Sequence, residues 1–279
     1  MILMSKKIKI ILGYPLGFIC ALLISVLTLL IILKISVFNK EYVFKVIREN
    51  NYYEKIVEDT KEEMENYMVS SGFPYSILDD IYTIDDVKED IDYYINNMYN
   101  GEKTVIDKKI ISEKLNNNIN EYLKKNNVSV LNPEDITSFV DEIASIYDKE
   151  VCLYHTFDGM MKSIPKLLRF TNIGINIVSV ILLIIIIVLM GIVKTIPLGT
   201  CIFASSLILF FLRFVIIEKI DIMNLLIITE HFSDILQIIL LNIRKLMLIG
   251  GIVLLILGLM TILVSSIKNK SSKVLKRDN

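Results

Sequence analysis

The feature that most constrains this chain is an apolar stretch near its beginning, residues 10–33, which carries no charged residue. A bilayer core about 30 Å thick needs about 20 helical residues, so this stretch is long enough to cross it. A cleaved signal peptide is the alternative, because Lys6, Lys7 and Lys9 precede the stretch. A signal peptide normally has an apolar region of about 7–15 residues followed by a small-residue cleavage site, and neither is found here. We therefore expect an uncleaved signal anchor.

Three further apolar stretches occur late in the chain, at residues 170–193, 196–217 and 246–267. Each is long enough for a membrane-spanning helix. Pro197 falls in the first turn of the middle stretch, where proline is tolerated. Because only a few residues separate the first two of these stretches, they must form an antiparallel hairpin.

Residues 218–245 mix acidic and apolar side chains and contain no charge-free stretch long enough to span. This pattern favours an amphipathic helix that lies at the membrane interface or caps the bundle. A re-entrant segment is the alternative.

The distribution of lysine and arginine predicts an orientation. Basic residues cluster in residues 1–9 and 268–279, and cytoplasmic flanks of spans are enriched in such residues. We therefore expect both termini to be cytoplasmic, which requires an even number of spans, and residues 38–169 to lie outside. The pattern is not uniform, because Lys219, Arg244 and Lys245 fall in the loop that this topology places outside. The frequent isoleucine, lysine and asparagine suggest a bacterial source, and hence a plasma membrane.

The segment between the first two spans is expected to be a helical bundle. Ile84, Val87, Ile91 and Ile95 recur every three or four residues, as one helix face requires. Two more stripes of this kind cover residues 111–122 and 136–154. Residues 41–68 are expected to form one longer helix. From residue 40 to residue 169 the segment holds 26 acidic and 16 basic residues. The predicted fold is thus all-α, with a four-span bundle and a helical extracytoplasmic domain inserted between spans 1 and 2.

The predicted boundaries along the chain follow from these stretches. They are a cytoplasmic N-terminus (1–9), span 1 (10–37), the extracytoplasmic domain (38–169), span 2 (170–193), span 3 (196–217), an interfacial segment (218–245), span 4 (246–267) and a basic cytoplasmic tail (268–279).

Twelve of the thirteen tyrosines lie in the inserted segment. Such residues can cover a partly buried bundle surface with ring and hydroxyl together. A tyrosine-lined cleft for a glycan or a peptide is the alternative interpretation.

No set of residues predicts a catalytic, cofactor or metal site. Cys152, His155 and Asp158 share a helix face, but two ligand types on one helix do not complete a zinc site, and the only other histidine is His231. The aspartate pairs at 79–80 and 85–86 lack the glycine and the spacing of a calcium loop. We therefore predict no cofactor, no nucleotide and no enzymatic activity.

Small residues recur every four positions in span 1, at Gly13, Gly17, Ala21 and Ser25. Such a pattern allows another helix to approach closely, either from the same chain or from a second subunit. Polar residues in the other spans can form contacts between helices; they are Asn172, Asn176, Ser205, Ser206 and Arg213. Arg213 lies near a span end, where it can reach the interface or pair with a nearby acid.

Composition limits the function further. The chain has 30 basic and 31 acidic residues, 53% hydrophobic residues and a mean hydropathy of +0.56. This balance argues against a nucleic-acid-binding protein. The expected partners are the lipid bilayer and a protein, either a second copy or another chain. We expect a non-enzymatic envelope sensor, scaffold or assembly factor acting through its extracytoplasmic domain. The alternatives are a membrane subunit of a transport complex and an integral membrane enzyme.

Overall fold

The structure is a computed structural model that describes residues 6–69, 71–102, 107–127, 133–151, 163–193, 196–219 and 230–274. Within these ranges all regular secondary structure is helical and there is no strand. The chain divides into two compact units. The spanning unit comprises Met1–Asn39, Leu168–Leu225 and Leu236–Asn279, and the inserted unit comprises Lys40–Leu167 and Leu226–Ile235.

Four helices are long and apolar enough to cross a membrane, as the sequence predicts. Their bounds are α1 (Lys6–Ile35), α7 (Ile164–Val193), α8 (Ile196–Lys219) and α9 (Glu230–Val274). The apolar stretches within them are Gly13–Ile35, Ile164–Met190, Leu198–Val215 and Ser233–Ile267.

Contacts between these helices give their relative directions. Gly17 and Ser25 of α1 contact Cys201 and Ser205 of α8 respectively, so residue numbers rise together and the two helices are parallel. Gly258 of α9 contacts Phe203 of α8. Gly251 of α9 contacts Phe210 of α8, so residue numbers decrease along α9 in the direction in which they increase along α8. These two helices are therefore antiparallel, as consecutive spans must be.

Helix α9 differs from the boundary that the sequence suggests at residues 245–246. It continues without a break from Glu230 to Val274, so the amphipathic residues 230–245 and the last apolar stretch form one helix. The physical reason is that residues 230–245 contain no glycine or proline, and nothing in them interrupts the backbone hydrogen bonds. The rest of the predicted interfacial segment, residues 220–229, lies outside the described residues.

The described part of the inserted unit contains five complete α-helices and one 3₁₀ turn. These elements are α2 (Lys40–Glu49), α3 (Tyr52–Met68), the turn Tyr75–Leu78, α4 (Ile84–Asn100), α5 (Lys109–Lys125) and α6 (Pro133–Val151). The largest fully buried side chains of this unit form its core. They are Tyr52, Ile56, Met64, Met68, Ile81, Ile91, Tyr94, Leu115, Ile119, Ile143 and Tyr147.

Helix ends in the inserted unit follow local sequence signals. The single helix expected over residues 41–68 is instead two helices, because Asn51 has a left-handed backbone (φ 51°), which asparagine tolerates better than most residues. Thr83 and Asp86 form a capping box at the start of α4, with the Asp86 amide donating to the Thr83 hydroxyl at 3.2 Å. Gly101 ends α4 with a left-handed backbone (φ 77°), which glycine adopts without strain.

Candidate functional site

A groove of about 420 Å³ opens on the inserted unit, where α4, α5 and α6 meet. We call it the acidic groove. Its lining residues are Ile81, Tyr82, Asp86, Glu89, Asp90, Tyr93, Asp107, Ile110, Ile111, Lys114 and Tyr147. Its apolar lining side chains are Ile81, which precedes α4, and Ile110 and Ile111 of α5.

Tyrosines form one wall of the acidic groove. The rings of Tyr82 and Tyr147 lie 5.3 Å apart at 52°, a tilted arrangement that aromatic pairs favour. The Tyr147 hydroxyl donates to Oδ2 of Asp90 at 2.7 Å, so the buried ring of α6 holds a carboxyl group of α4 in place. Tyr93 is half exposed.

The charges of the acidic groove are unbalanced. It has four carboxyl groups, from Asp86, Glu89, Asp90 and Asp107, and one amine, from Lys114. Lys114 Nζ lies 3.9 Å from Oδ2 of Asp86, a distance at which a partly exposed pair contributes little. The groove therefore presents negative potential beside aromatic rings, and both features attract a cation.

The surroundings of Asp90 change the pKa of its carboxyl group. Burial raises the pKa of its carboxyl group. The nearby carboxyl groups of Asp86 and Glu89 raise it further, while the hydrogen bond from Tyr147 opposes the shift. A positive charge bound in the groove would lower the pKa of Asp90 and so oppose the effects of burial and of repulsion, because an opposite charge stabilises the ionised carboxylate.

A second groove, of about 440 Å³, lies between α3 and α6. Lys149 Nζ lies 2.8 Å from Oε1 of Glu63 and 3.2 Å from Oε1 of Glu150, so one amine bridges two carboxyl groups. Burial and a hydrogen bond to Glu63 raise the pKa of Glu150, whereas Lys149 opposes the shift. For Glu63, burial raises the pKa, but hydrogen bonds with Lys149 and Glu150 outweigh it and leave the value below normal. Because the amine of Lys149 already bridges two carboxyl groups, this groove is a weaker candidate for binding a cation.

Some tyrosines of the inserted unit lie in its core and others lie at its surface. Tyr52, Tyr53 and Tyr94 are buried in the core. Burial comes first among the causes that raise the pKa of Tyr52 and Tyr53. Tyr75 and Tyr93 are about half exposed, and Tyr93 lies at the acidic groove.

The small residues of α1 lie toward α8. Ala21 and Ser25 are buried, whereas Gly13 and Gly17 are partly buried. A Cβ added to Gly17 would lie 3.4 Å from Sγ of Cys201, an ordinary van der Waals distance. The Ser25 hydroxyl donates to the carbonyl oxygen of Ala21 at 2.9 Å and reaches that of Ser205 on α8 at 3.1 Å.

The polar residues of the other spans lie in different surroundings. Ser205 and Ser206 are fully buried, and their hydroxyls donate to carbonyl oxygens one turn earlier in α8, at 2.6 and 2.7 Å. Asn172 and Asn176 lie on the exposed face of α7. The face of α7 that packs on α1 instead carries Gly174, against Leu30.

Close contacts that the sequence analysis did not anticipate join α8 to α9. A Cβ added to Gly258 would lie 2.7 Å from the backbone nitrogen of Phe203, so the two backbones meet directly. A Cβ at Gly199 would lie 2.8 Å from Ile262. Gly258 and Gly251 are small enough to allow this approach, but they do not repeat every four positions as the small residues of span 1 do.

Metal and thiol candidates give no site in the part of the chain that the structure describes. Cys152, His155 and Asp158 lie outside the described residues, as does the side chain of His231. Among the residues that are described, no three histidine, cysteine, aspartate or glutamate side chains gather closely enough to hold a metal ion. Cys20 and Cys201 are buried together with Ala21 and Leu189 in one apolar cluster of the spanning unit.

The acidic groove thus combines a cavity of about 420 Å³, tyrosine side chains in its lining and an excess of carboxyl groups. Comparison of the chain with models of protein families, with curated proteins and with solved structures finds no match.

Proposed function

We propose that this chain is a non-enzymatic sensor, scaffold or assembly factor of the bacterial cell envelope, and that its inserted unit binds a cationic partner protein in the acidic groove. The observation that carries the proposal is the groove itself, where four carboxyl groups and one amine surround exposed tyrosine. The preferred partner surface is one rich in lysine or arginine. In this proposal the inserted unit faces the outside of the plasma membrane and both termini are cytoplasmic.

A binding function agrees with the chemistry of the groove better than catalysis does. General acid and base groups work in pairs whose pKa values are driven apart by their environments. In the acidic groove, burial raises the pKa of the Asp90 carboxyl group, which accepts a hydrogen bond from the buried Tyr147. This arrangement fixes a negative charge in position, which is what recognition of a cation requires.

A membrane subunit of a transport complex remains the second candidate in sequence terms. The buried hydroxyls of Ser205 and Ser206 donate to carbonyl groups of their own helix, however, and so serve helix packing. The structure therefore offers more support for a binding role of the inserted unit than for a polar path between spans.

Binding of a cationic probe to the full-length protein in nanodiscs of zwitterionic lipid tests the proposal. The probe is a fluorescent hexalysine peptide, and fluorescence anisotropy reports its binding. The double variant Glu89→Gln with Asp107→Asn removes two exposed charges of the groove and should weaken binding at least about tenfold. The control Glu121→Gln with Asp141→Asn makes the same chemical changes at exposed positions that do not line the groove.

Equal weakening by both double variants would mean that the peptide responds to overall charge, and would reject the groove as the site. Binding that is unchanged in the groove variant would reject it as well. A hexaglutamate peptide should not bind either protein.

A further inference from the structure

Contacts in the spanning unit define one layer that crosses all four of its helices. A Cβ added to Gly174 of α7 would lie 3.3 Å from the side chain of Leu30 in α1. A Cβ added to Gly250 of α9 would lie 3.3 Å from Thr28, on the same part of α1. The next residue of α9 lies against the ring of Phe210 in α8. We call this level the glycine layer.

Basic residues occur just beyond the glycine layer in every one of the four helices. They are Lys34 in α1, Arg169 in α7, Arg213 in α8, and Arg244 and Lys245 in α9. All lie on the same side of the layer, toward the C-terminal end of α1. They are three to six residues from it along their helices, which is about 4.5–9 Å at 1.5 Å per residue. The five side chains therefore share one narrow level, which we call the basic ring.

The depth of the basic ring matches that of lipid headgroups. Starting from the ring, charge-free stretches extend over residues 10–33, 170–193 and 246–267 before the next lysine is reached. Helices of this length extend about 33–36 Å. The hydrocarbon core is about 30 Å thick, so a bilayer centred on these stretches places the ring among the headgroups.

The spanning unit contains three acidic residues, of which Glu218 and Asp221 follow Arg213 in the chain and Asp278 lies in the tail. Residues 1–39 and 236–274 contain no acidic residue at all. Within the described part of the chain, none of the five side chains forms a salt bridge. Three of the five, Lys34, Arg169 and Lys245, are exposed.

Arg213 adds an independent observation. Its Nε is buried and donates to no described acceptor. Leaving a buried donor of a charged group without a partner destabilises a protein by more than a typical hydrogen bond stabilises it. Arg213 lies one turn beyond Phe210, on the same side of the glycine layer as the other four basic residues.

We propose that the basic ring is a binding surface for anionic phospholipid, with Arg213, Arg244 and Lys245 holding the headgroup phosphate. The guanidinium group suits this role because its fork of donors matches phosphate oxygens. The ring recognises net negative charge, so phosphatidylglycerol should bind in preference to phosphatidylcholine. This inference does not depend on the acidic groove or on its partner.

The test is lipid retention by the purified full-length protein. The protein in non-ionic detergent is mixed with equal amounts of phosphatidylglycerol and phosphatidylcholine, and native mass spectrometry counts the lipids that remain bound. A basic residue near an anionic surface contributes about fivefold in affinity, equivalent to about 1 kcal/mol. The triple variant Arg213→Gln, Arg244→Gln, Lys245→Gln should therefore lose retained phosphatidylglycerol at least about tenfold, while the small amount of phosphatidylcholine stays the same.

Two further variants keep the test decisive. The exposed pair Lys34→Gln with Lys245→Gln disturbs no buried side chain, and it should lose phosphatidylglycerol to a smaller extent. The control Lys88→Gln, Lys124→Gln, Lys125→Gln removes three exposed charges from the inserted unit and should retain the lipid fully. Equal retention of the two lipids by the wild type would overturn the proposal. Full retention by both ring variants, or equal loss in the control, would also overturn it.

Discussion

The two units of this protein use their side chains in opposite ways. In the inserted unit large residues fill the core, with Tyr52, Tyr94 and Tyr147 each about 1% exposed. In the spanning unit large residues face outward, and Phe170 and Phe211 are 71% and 66% exposed. Water drives large apolar side chains inward, whereas lipid gives them no reason to be buried.

Close contacts between helices in the spanning unit depend on small residues instead. Gly258 meets the backbone of Phe203, and buried Ala21 and Ser25 lie on the face of α1 turned toward α8. Backbones that approach closely gain van der Waals contact, which is the main source of helix association in a bilayer. The contrast between the units teaches that one chain follows two packing rules, each suited to a different solvent.

The same substitution in the two units should have different costs, and this is the largest effect that we expect. Leu115 is fully buried in the inserted unit, whereas Leu183 is 60% exposed on α7. Leu115→Ala leaves a cavity and should lower the free energy of unfolding by about 2–5 kcal/mol. Leu183→Ala should change it by less than about 0.5 kcal/mol. Thermal unfolding of the full-length protein in detergent, followed by circular dichroism, measures both, and equal costs would remove the contrast.

Enlarging a small residue on the contact face of α1 is the next effect in size. Ala21→Ile inserts a branched side chain where the structure leaves 1% exposure, and overpacking of this kind costs about 1–3 kcal/mol. Ser25→Ile and Gly17→Ile are expected to destabilise the fold in the same way.

The matched control for α1 is Val26→Ile, which also adds carbon but on a face that is 42% exposed. It should be close to neutral in the same unfolding assay. Suppose that Ala21→Ile and Ser25→Ile leave the stability unchanged while Gly17→Ile lowers it. The glycine would then serve the local backbone beside Pro15, and the hypothesis of a packing face on α1 would be wrong.

Glu150 should make the stability of the inserted unit depend on pH, with the smallest effect of the three. Its pKa is raised in the folded state, mainly by burial, so the unfolded chain ionises first as pH rises. Stability therefore falls as pH increases from the ordinary value of 4.5 through the raised value. Glu150→Gln removes this penalty. The melting temperature of the variant minus that of the wild type should increase between pH 4.5 and pH 8, and a decrease would show that the ionised form is favoured.

Local signals in the sequence were sufficient for several parts of the fold. Four apolar stretches predicted four long helices, and the stripe of Ile84, Val87, Ile91 and Ile95 predicted α4. The break at Asn51 was missed because asparagine in a helical pattern does not by itself require a left-handed backbone. The continuity of α9 was missed because a change from mixed to apolar composition marks a change of surroundings, not an end of hydrogen bonding.

The candidate sites could be predicted only in part for a related reason. The acidic groove joins Asp90 to Tyr147, which are 57 residues apart, and only the packing of α4 on α6 brings them together. The basic ring likewise depends on the register between helices, which a single sequence does not carry. The small residues of α1 are different, because a repeat every four positions on one helix is visible before its partner is known.

Topology tests the central proposal most directly, because an outward-facing inserted unit is what allows it to act as an envelope sensor or scaffold. In a Cys152→Ser background, Asn117→Cys introduces a thiol at an exposed position of the inserted unit, and Ser272→Cys introduces one in the basic tail. Intact cells are treated with a membrane-impermeant maleimide, and lysed cells serve as the reference. We predict labelling of Asn117→Cys in intact cells and labelling of Ser272→Cys only after lysis. The reverse pattern would contradict the proposed orientation and, with it, the outward-facing groove.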